Sequence, residues 1–213
     1  MAYDEKYFSW QKQVGEFGGK ANLFKFEGYT LETDDVLDFG CGGGYLLDNI
    51  NTTGRKVGIE INPAARAEAE SKGIECFPDF EGLTDSSFDV IISNHALEHV
   101  ENPVQVLKEF KRVLRNGGVA VVVVPHESSK AVNLNDHNMH LYTWTPQNLV
   151  NLFKVCGFEI ADYGSICHMW PPHFQKIQKI FGWKVFHRIC RLYCKIKGTG
   201  YQTRVVGVVW KDE

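Results

Sequence analysis

From residue 35 onward, short β-rich apolar runs alternate with helical stretches, and this alternation restricts the fold more than any other feature of the chain. "DVLDFG" (35–40), "KVGIEI" (56–61), "IECF" (74–77) and "FDVIIS" (88–93) read as strands. "VAVVVVP" (119–125) reads as a fifth; its near-continuous apolar character suits a strand covered on both faces. Between them come "CGGG" with a helix through Ile50, then "NPAARAEAESKG", where Asn62 can cap and Pro63 can open the first turn. In "NPVQVLKEFKRVLRNGG" the residues Val104, Leu107, Phe110 and Leu114 recur at helical spacing, and Gly117 ends the stretch. Strand–helix–strand repetition of this kind builds an α/β fold, a parallel sheet with right-handed crossovers and helices on both faces.

A long loop (126–143), a helix beginning near "TPQNLVNLFKVCG", a strand around "FEIADYGSI", a basic helical stretch and a last strand "TRVVGVVWK" complete the chain. No internal repeat or low-complexity linker divides it, so one domain over 1–213 is expected. The 213 residues are 44% hydrophobic with 14 Phe and 5 Trp, ample for a core, and the net charge of −3 argues against nucleic-acid binding. No segment approaches the roughly 18 uncharged apolar residues of a membrane span. The start "MAYDEKYFSWQ" has neither the basic nor the apolar region of a signal peptide, so a cytoplasmic protein is expected. Six cysteines (Cys41, Cys76, Cys156, Cys167, Cys190, Cys194) show no C-x-x-C pair and read as free thiols.

In an open parallel sheet, ligands bind beyond the carboxyl ends of the strands, where the first strand turns into its helix. That turn is "VLDFGCGGGYLL", with Gly40, Gly42 and Gly44 in G-x-G-x-G. A dinucleotide fingerprint needs glycine at position 45, which is Tyr45. An acid, Asp38, stands two residues before the first glycine and suits a ligand with a positive group. Glu60, at the end of the second strand, is placed to accept from two ribose hydroxyls. S-adenosylmethionine has ribose at one end and a cationic amino acid at the other.

With these motifs the sequence resembles the class I S-adenosylmethionine-dependent methyltransferases, over roughly residues 34–160. The resemblance rests on "VLDFGCGGGYLL", "GIEINP", "FDVIISNHALEHVENP", "LKEFKRVLRNGGVAVVVVP" and "HLYTWTPQNLVNLFKVCGFEI", in that order. It implies a Rossmann-like sheet of seven strands, mostly parallel, with "TRVVGVVWK" as the one antiparallel strand. It also implies that Asp38 and the Gly40–Cys41–Gly42 backbone hold the methionine end, Glu60 the ribose, Ile61 the adenine face and Asp79 the adenine amino group. Asn94 and His95 would then lie beside the reactive sulfonium.

The run "HALEH" (95–99) fits the H-x-x-E-H zinc-protease pattern. In the family resembled, this segment commonly reads like "LEHV" without a metal. Only about one turn separates Ser93 from the next helix start at Asn102-Pro103, too little for two histidines on one stable helix, and no motif supplies a third ligand. The match is read as a coincidence, and no metal is expected.

For a hydroxyl acceptor a base helps, whereas an anionic oxygen needs none. His126, His137 and His140, with Tyr142 and Trp144 close behind, are the candidate bases; a metal cluster or plain surface residues are the other readings. In relatives a leader such as 1–33 folds as a cap that shapes the acceptor pocket, which makes Tyr7, Trp10 and Lys20 candidates there. Segments 126–143 and 168–200 would be acceptor-side insertions. The leader and first strand resemble methyltransferases of bacterial surface-polysaccharide gene clusters, which points to a sugar or sugar-linked phosphate-type acceptor. A nicotinamide-dependent oxidoreductase and a non-catalytic cofactor-binding protein are the alternatives.

Last, "HFQKIQKIFGWKVFHRICRLYCKIK" (173–197) carries seven Lys and Arg and no acid, with an interruption expected near Gly182. Phe174, Ile177, Phe181, Val185, Ile189, Leu192 and Ile196 predict one apolar face, packed on the sheet with the basic residues solvated, or with the basic face meeting an anionic partner, either a phosphorylated acceptor or a lipid-linked one at the membrane surface.

Overall fold

The computed structural model describes residues 5–127, 134, 136 and 138–211, with side chains from residue 14 onward. Seven strands form one sheet: β1 (Val36–Phe39), β2 (Lys56–Ile59), β3 (Glu75–Phe77), β4 (Phe88–Asn94), β5 (Leu114–Pro125), β6 (Glu159–Cys167) and β7 (Tyr201–Val208). Their order is β3-β2-β1-β4-β5-β7-β6. The first five pair in parallel, and β7 runs antiparallel to both β5 and β6, so the expected seven-stranded sheet with a reversed C-terminal strand is present.

The helices are α1 (Glu5–Asn22), α2 (Tyr45–Asp48), α3 (Pro63–Glu70), α4 (Pro103–Val113), α5 (Pro146–Val155) and α6 (Phe174–Lys197). Three of them start on a polar residue followed by proline. Asn62 accepts from the Ala64 and Ala65 amides, Asn102 from Gln105, and Thr145 forms a reciprocal capping box with Asn148. The caps satisfy amides that lack an intrahelical partner, while proline loses nothing at a position whose N–H would be unpaired anyway. β5 is buried from Ala120 to Val124, between one apolar layer containing Leu107, Phe110 and Phe153 and another containing Phe26, Leu47 and Ile74.

α1 lies against the turn that follows β1. A Cβ added at Gly19 would stand 2.1 Å from the Tyr45 carbonyl oxygen, and one at Gly15 2.3 Å from the Tyr45 ring, so the two glycines set how closely the leader approaches. At its C-terminal end α1 meets α6, where Ala21, Phe186 and Cys190 form a small separate core with Phe17, Trp170 and Trp183 packed on it.

The apolar face expected for 173–197 is corrected here. Gly182 has φ 72° and ψ 172° and breaks the helix at the expected place, but the break also resets which residues face inward. Beyond it, Phe186, Cys190 and Cys194 are buried, whereas Val185, Leu192 and Ile196 are exposed, as is Phe181 just before it. At 3.6 residues per turn the buried stripe and the Val185–Leu192–Ile196 stripe lie on opposite sides of the helix.

The Gly19 contact makes a specific expectation. Gly19→Val places a branched side chain against backbone that cannot yield, and overpacking of this kind costs about 1–3 kcal/mol. Thermal unfolding should fall by several degrees, and limited proteolysis should cut within 5–22 while the sheet resists.

Candidate active site

The carboxyl ends of β1 and β4 open into a pocket of about 870 Å³. At one end are Asp38, Gly40, Cys41 and Gly42. Gly40 has φ 75°, and a Cβ on it would sit 2.3 Å from the Ala96 side chain, so only glycine lets the segment after β4 cross the turn. Asp38 is almost wholly buried, and burial, helped by the charge of Glu60, pushes its carboxyl up to about 8. The Glu60 carboxylate accepts from the Gly42 amide at 3.0 Å and the Asn62 amide at 2.8 Å, tying the glycine turn to the end of β2. An ionised carboxylate has about four acceptor positions, so two remain for a ligand.

At the other end the walls include Lys25, Asn94, His95, Glu98, His99 and His140. Lys25 Nζ donates to Asn94 Oδ1 at 2.8 Å. Its backbone carbonyl accepts from Arg204 at 3.2 Å, and Arg204 in turn pairs with Asp162, which also accepts from the Tyr29 hydroxyl. Burial lowers Lys25 to about 7 against the opposing pull of Glu98. Glu98 has no exposed surface, and burial raises its carboxyl to about 8.

Three imidazoles surround Glu98. His95 Nδ1 and His99 Nε2 each lie 3.9 Å from Glu98 Oε1, and His140 Nε2 lies 4.0 Å from it. The Leu141 and Tyr142 amides donate to the Glu98 carbonyl at 2.9 and 3.3 Å, which brings the neighbouring His140 back over the site. Burial, reinforced by Lys25, lowers His95 to about 3, and burial lowers His99 to about 4, so both rings are neutral at physiological pH.

Among the sequence candidates, the structure gathers Asp38, Gly40, Cys41, Gly42, Asn94, His95 and His140 around one pocket. Glu60, Ile61 and Asp79 lie outside its enclosed walls. Ile61 is 66% exposed on the adjoining rim, and exposed Asp79 accepts from the Glu81 amide. His126 is a correction. Its Nδ1 donates to the Trp144 carbonyl at 2.9 Å and its amide to the Tyr201 carbonyl, so it links β5 to the following loop and does not reach the pocket.

His137 lies outside the described residues, as do the side chains of Tyr7 and Trp10. Lys20 is exposed; the lysine in the pocket is Lys25, which no motif marks. The two histidines of "HALEH" do not share a helix, since His95 ends the strand at φ 58° and only Leu97–His99 form a single 3-10 turn. The motif's Glu98 and His99, set aside in the sequence, are nonetheless in the site.

Residues 37–122 match the family model of a methyltransferase domain. Over that segment the chain is similar to the class I S-adenosylmethionine-dependent methyltransferases. S-adenosylmethionine is the cofactor of that family. A ubiquinone biosynthesis O-methyltransferase of Nitrosococcus oceani is 33% identical over 148 residues, covering 61% of this chain and 62% of the relative. The chain spans 55% to 65% of the length of the first curated relatives it matches.

Among solved structures, the methyltransferase in a complex with the Haloferax volcanii Trm112 methyltransferase activator superposes with a TM-score of 0.71 at 19% identity, covering 98% of this chain and 96% of that one. The [4+2]-cyclase SpnF superposes at 0.65 and 19% identity, covering 91% and 82%. At such identities the likeness is one of fold, and a fold shared with a cyclase leaves the reaction to the side chains of the pocket.

The pocket's buried lysine gives a stability signature. Burial lowers Lys25 to about 7 in the folded chain, against about 10.5 for a solvated lysine. Between these values the unfolded chain binds more protons, so this group makes stability rise with pH, by up to about 1.4 kcal/mol per unit. Denaturant unfolding at pH 7, 8 and 9 should show that rise in wild type relative to Lys25→Met, and below pH 7 the two stability profiles should run parallel.

Proposed function

We propose that this methyltransferase moves the methyl group of S-adenosylmethionine to an oxygen of a small acceptor, a sugar or sugar-linked phosphate-type group, in the cytoplasm. One observation carries the reading: an acid and a glycine turn suited to the donor share a single pocket with Lys25, Glu98 and His140. In this reading Asp38 takes the cofactor's ammonium, and the Gly40–Gly42 backbone borders its carboxylate end. Glu60 uses its remaining acceptor positions on the ribose, Ile61 lies under the adenine and Asp79 meets the adenine amino group. Asn94 and His95 then flank the sulfonium.

The methyl group is already activated, so the protein's task is to hold the acceptor oxygen about 3–3.5 Å from it and in line with the bond that breaks. Sulfur keeps the bonding pair and oxygen gains the methyl. A hydroxyl acceptor gives up its proton, and His140 is the candidate base. The acceptor end mixes Trp170 and Tyr193 with polar Asn138 and Gln202, surfaces that fit a sugar's apolar face and its hydroxyls. A methyl-transfer screen against nucleotide sugars, saccharides and small acids tests the reading, with a product 14 mass units heavier (about one CH₂, the unit by which apolar burial is also counted) expected among the sugars and none among the acids.

Donor binding should depend on pH in a defined direction. Asp38 is held protonated up to about 8 by burial, whereas an ammonium partner favours the carboxylate. Binding of S-adenosylhomocysteine between pH 6 and 7.5 should therefore expel a proton, and affinity should rise up to ~10-fold per pH unit. Calorimetry in two buffers of different ionisation enthalpy reads the proton directly. Asp38→Asn should weaken binding and flatten the profile.

We further propose that the outer side of α6 rests on an anionic lipid surface. Leu192 and Ile196 are 60% and 71% exposed there, beside Lys184, Arg188, Arg191 and Lys195. No described helix is long and apolar enough to cross a membrane. Near an anionic bilayer each basic residue adds about 1 kcal/mol. Co-sedimentation should appear with anionic vesicles only, fade with salt and weaken in Lys184→Glu/Arg188→Glu. Equal recovery in the supernatant with anionic and neutral vesicles would leave α6 a packing element alone.

A further inference from the structure

The geometry points to a divalent metal site formed by Glu98, His99 and His140 inside the pocket, with an open position facing the acceptor. This set differs from the His95–His99 pair of the zinc-protease pattern, and it could not be assembled without the return of the loop at 138–142.

The first support is an acid with nothing to hold. Glu98 is fully buried, and neither of its carboxylate oxygens has a hydrogen-bond partner among the described residues. Buried polar groups are almost always paired, and an exception asks for a missing ion or water. The nearest buried cation, Lys25, directs its ammonium to Asn94 instead.

The second support is convergence. One donor atom from each of Glu98, His99 and His140 lies within 4.8 Å of the others. Glu98 Oε1 is 3.9 Å from His99 Nε2 and 4.0 Å from His140 Nε2. Bonds of about 2.0–2.1 Å at tetrahedral angles place donors roughly 3.4 Å apart, so the Glu98 pairs need to close by about half an ångström and the two histidines by up to about 1.4 Å.

The third support is the arrangement behind the donors. His140 Nδ1 stands 3.1 Å from Glu127 Oε2, within ion-pair distance though not aligned as a hydrogen bond, and Nε2 is the nitrogen turned to Glu98. A carboxylate behind a histidine, fixing its tautomer and orientation, is the usual outer shell of a metal-bound imidazole.

Two imidazoles and a carboxylate select a transition-metal dication of the zinc type over magnesium or calcium, which prefer all-oxygen sites. With three protein ligands the remaining position is open to a water or to an oxygen of the acceptor. His95, whose Nδ1 is 3.9 Å from the same Glu98 oxygen, would stand beside that position. The metal site rests on this cluster's geometry and is independent of the donor assignment, but when it is filled His140 is a ligand and no longer the base, since its Nε2 lone pair is taken.

The test uses the full-length protein, stripped with a chelator and dialysed against micromolar Zn²⁺, with metal counted by elemental analysis. Co²⁺ loading adds a readout, since a low-symmetry nitrogen–oxygen site gives visible ligand-field absorption. The expectation is about one Zn²⁺ per chain, reduced at least tenfold in Glu98→Gln and in His140→Ala. Glu127→Gln, which removes only the carboxylate behind His140, should weaken Zn²⁺ affinity by about 10–100-fold. Thermal unfolding of the metal-free proteins controls for folding, and S-adenosylhomocysteine binding is measured separately, so failure of the donor reading and failure of the metal site are distinguishable. Wild type with less than a tenth of an equivalent of Zn²⁺ would overturn the site. So would full Zn²⁺ retention in both Glu98→Gln and His140→Ala, since the metal would then sit elsewhere, for instance on cysteines.

Discussion

The close crossing of Gly40 and Ala96 is the contact on which the rest of the pocket depends. β1 and β4 are register neighbours, Asp38 opposite Ile92, so the turns that leave them must share the same space. The space suffices only because Gly40 has no side chain and adopts a left-handed conformation. That lets the chain after β4 fold over the glycine turn, carrying His95, Glu98 and His99 to the same cavity as Asp38. A side chain at position 40 would separate the two halves of the site, and neither half alone is a catalyst.

Electrostatics inside that cavity follow from burial. Asp38, Lys25 and Glu98 are all withdrawn from water, and each is displaced toward its neutral form: the two acids to about 8 and the lysine to about 7. Desolvation dominates in each case, with neighbouring charges as smaller corrections. A pocket of near-neutral acids and bases is responsive, because the arrival of a charged ligand shifts their protonation at little expense. A cation near Asp38 or Glu98 restores the carboxylate, and the same low dielectric that penalises an isolated charge strengthens a paired one.

The leader and the C-terminal segments complete the site by packing. α1 is held to the glycine turn through Gly15 and Gly19 and to α6 through Ala21 and Phe186. Arg204 on β7 fixes the Lys25 carbonyl across 179 positions of sequence. The lysine that enters the pocket is thus chosen by the far end of the chain. α6 closes the same side while turning Leu192 and Ile196 outward, an arrangement produced by the backbone at Gly182.

Strands, helix caps and the glycine turn were legible in the sequence because each depends on neighbours within a few positions. Alternating apolar runs specify strands, Asn-Pro and Thr-Pro specify helix starts, and G-x-G-x-G after β1 specifies a tight glycine turn. The seven-stranded sheet with its reversed last strand came from resemblance to a family and is present in the structure, whereas the order of the strands is known only from the structure. Lys25 carried no local signal: its partner Asn94 is 69 positions away. His126 and His140 were equivalent as letters in one loop, yet backbone bonds to Glu98 bring His140 inward, while the Trp144 carbonyl holds His126 aside. The apolar periodicity of 173–197 gave a correct helix and a wrong buried face, since one left-handed glycine rotates every residue beyond it. Local chemistry therefore determined which elements form; only long-range packing decided which side chains share the pocket, because burial and hydrogen-bond partners are properties of the assembled chain.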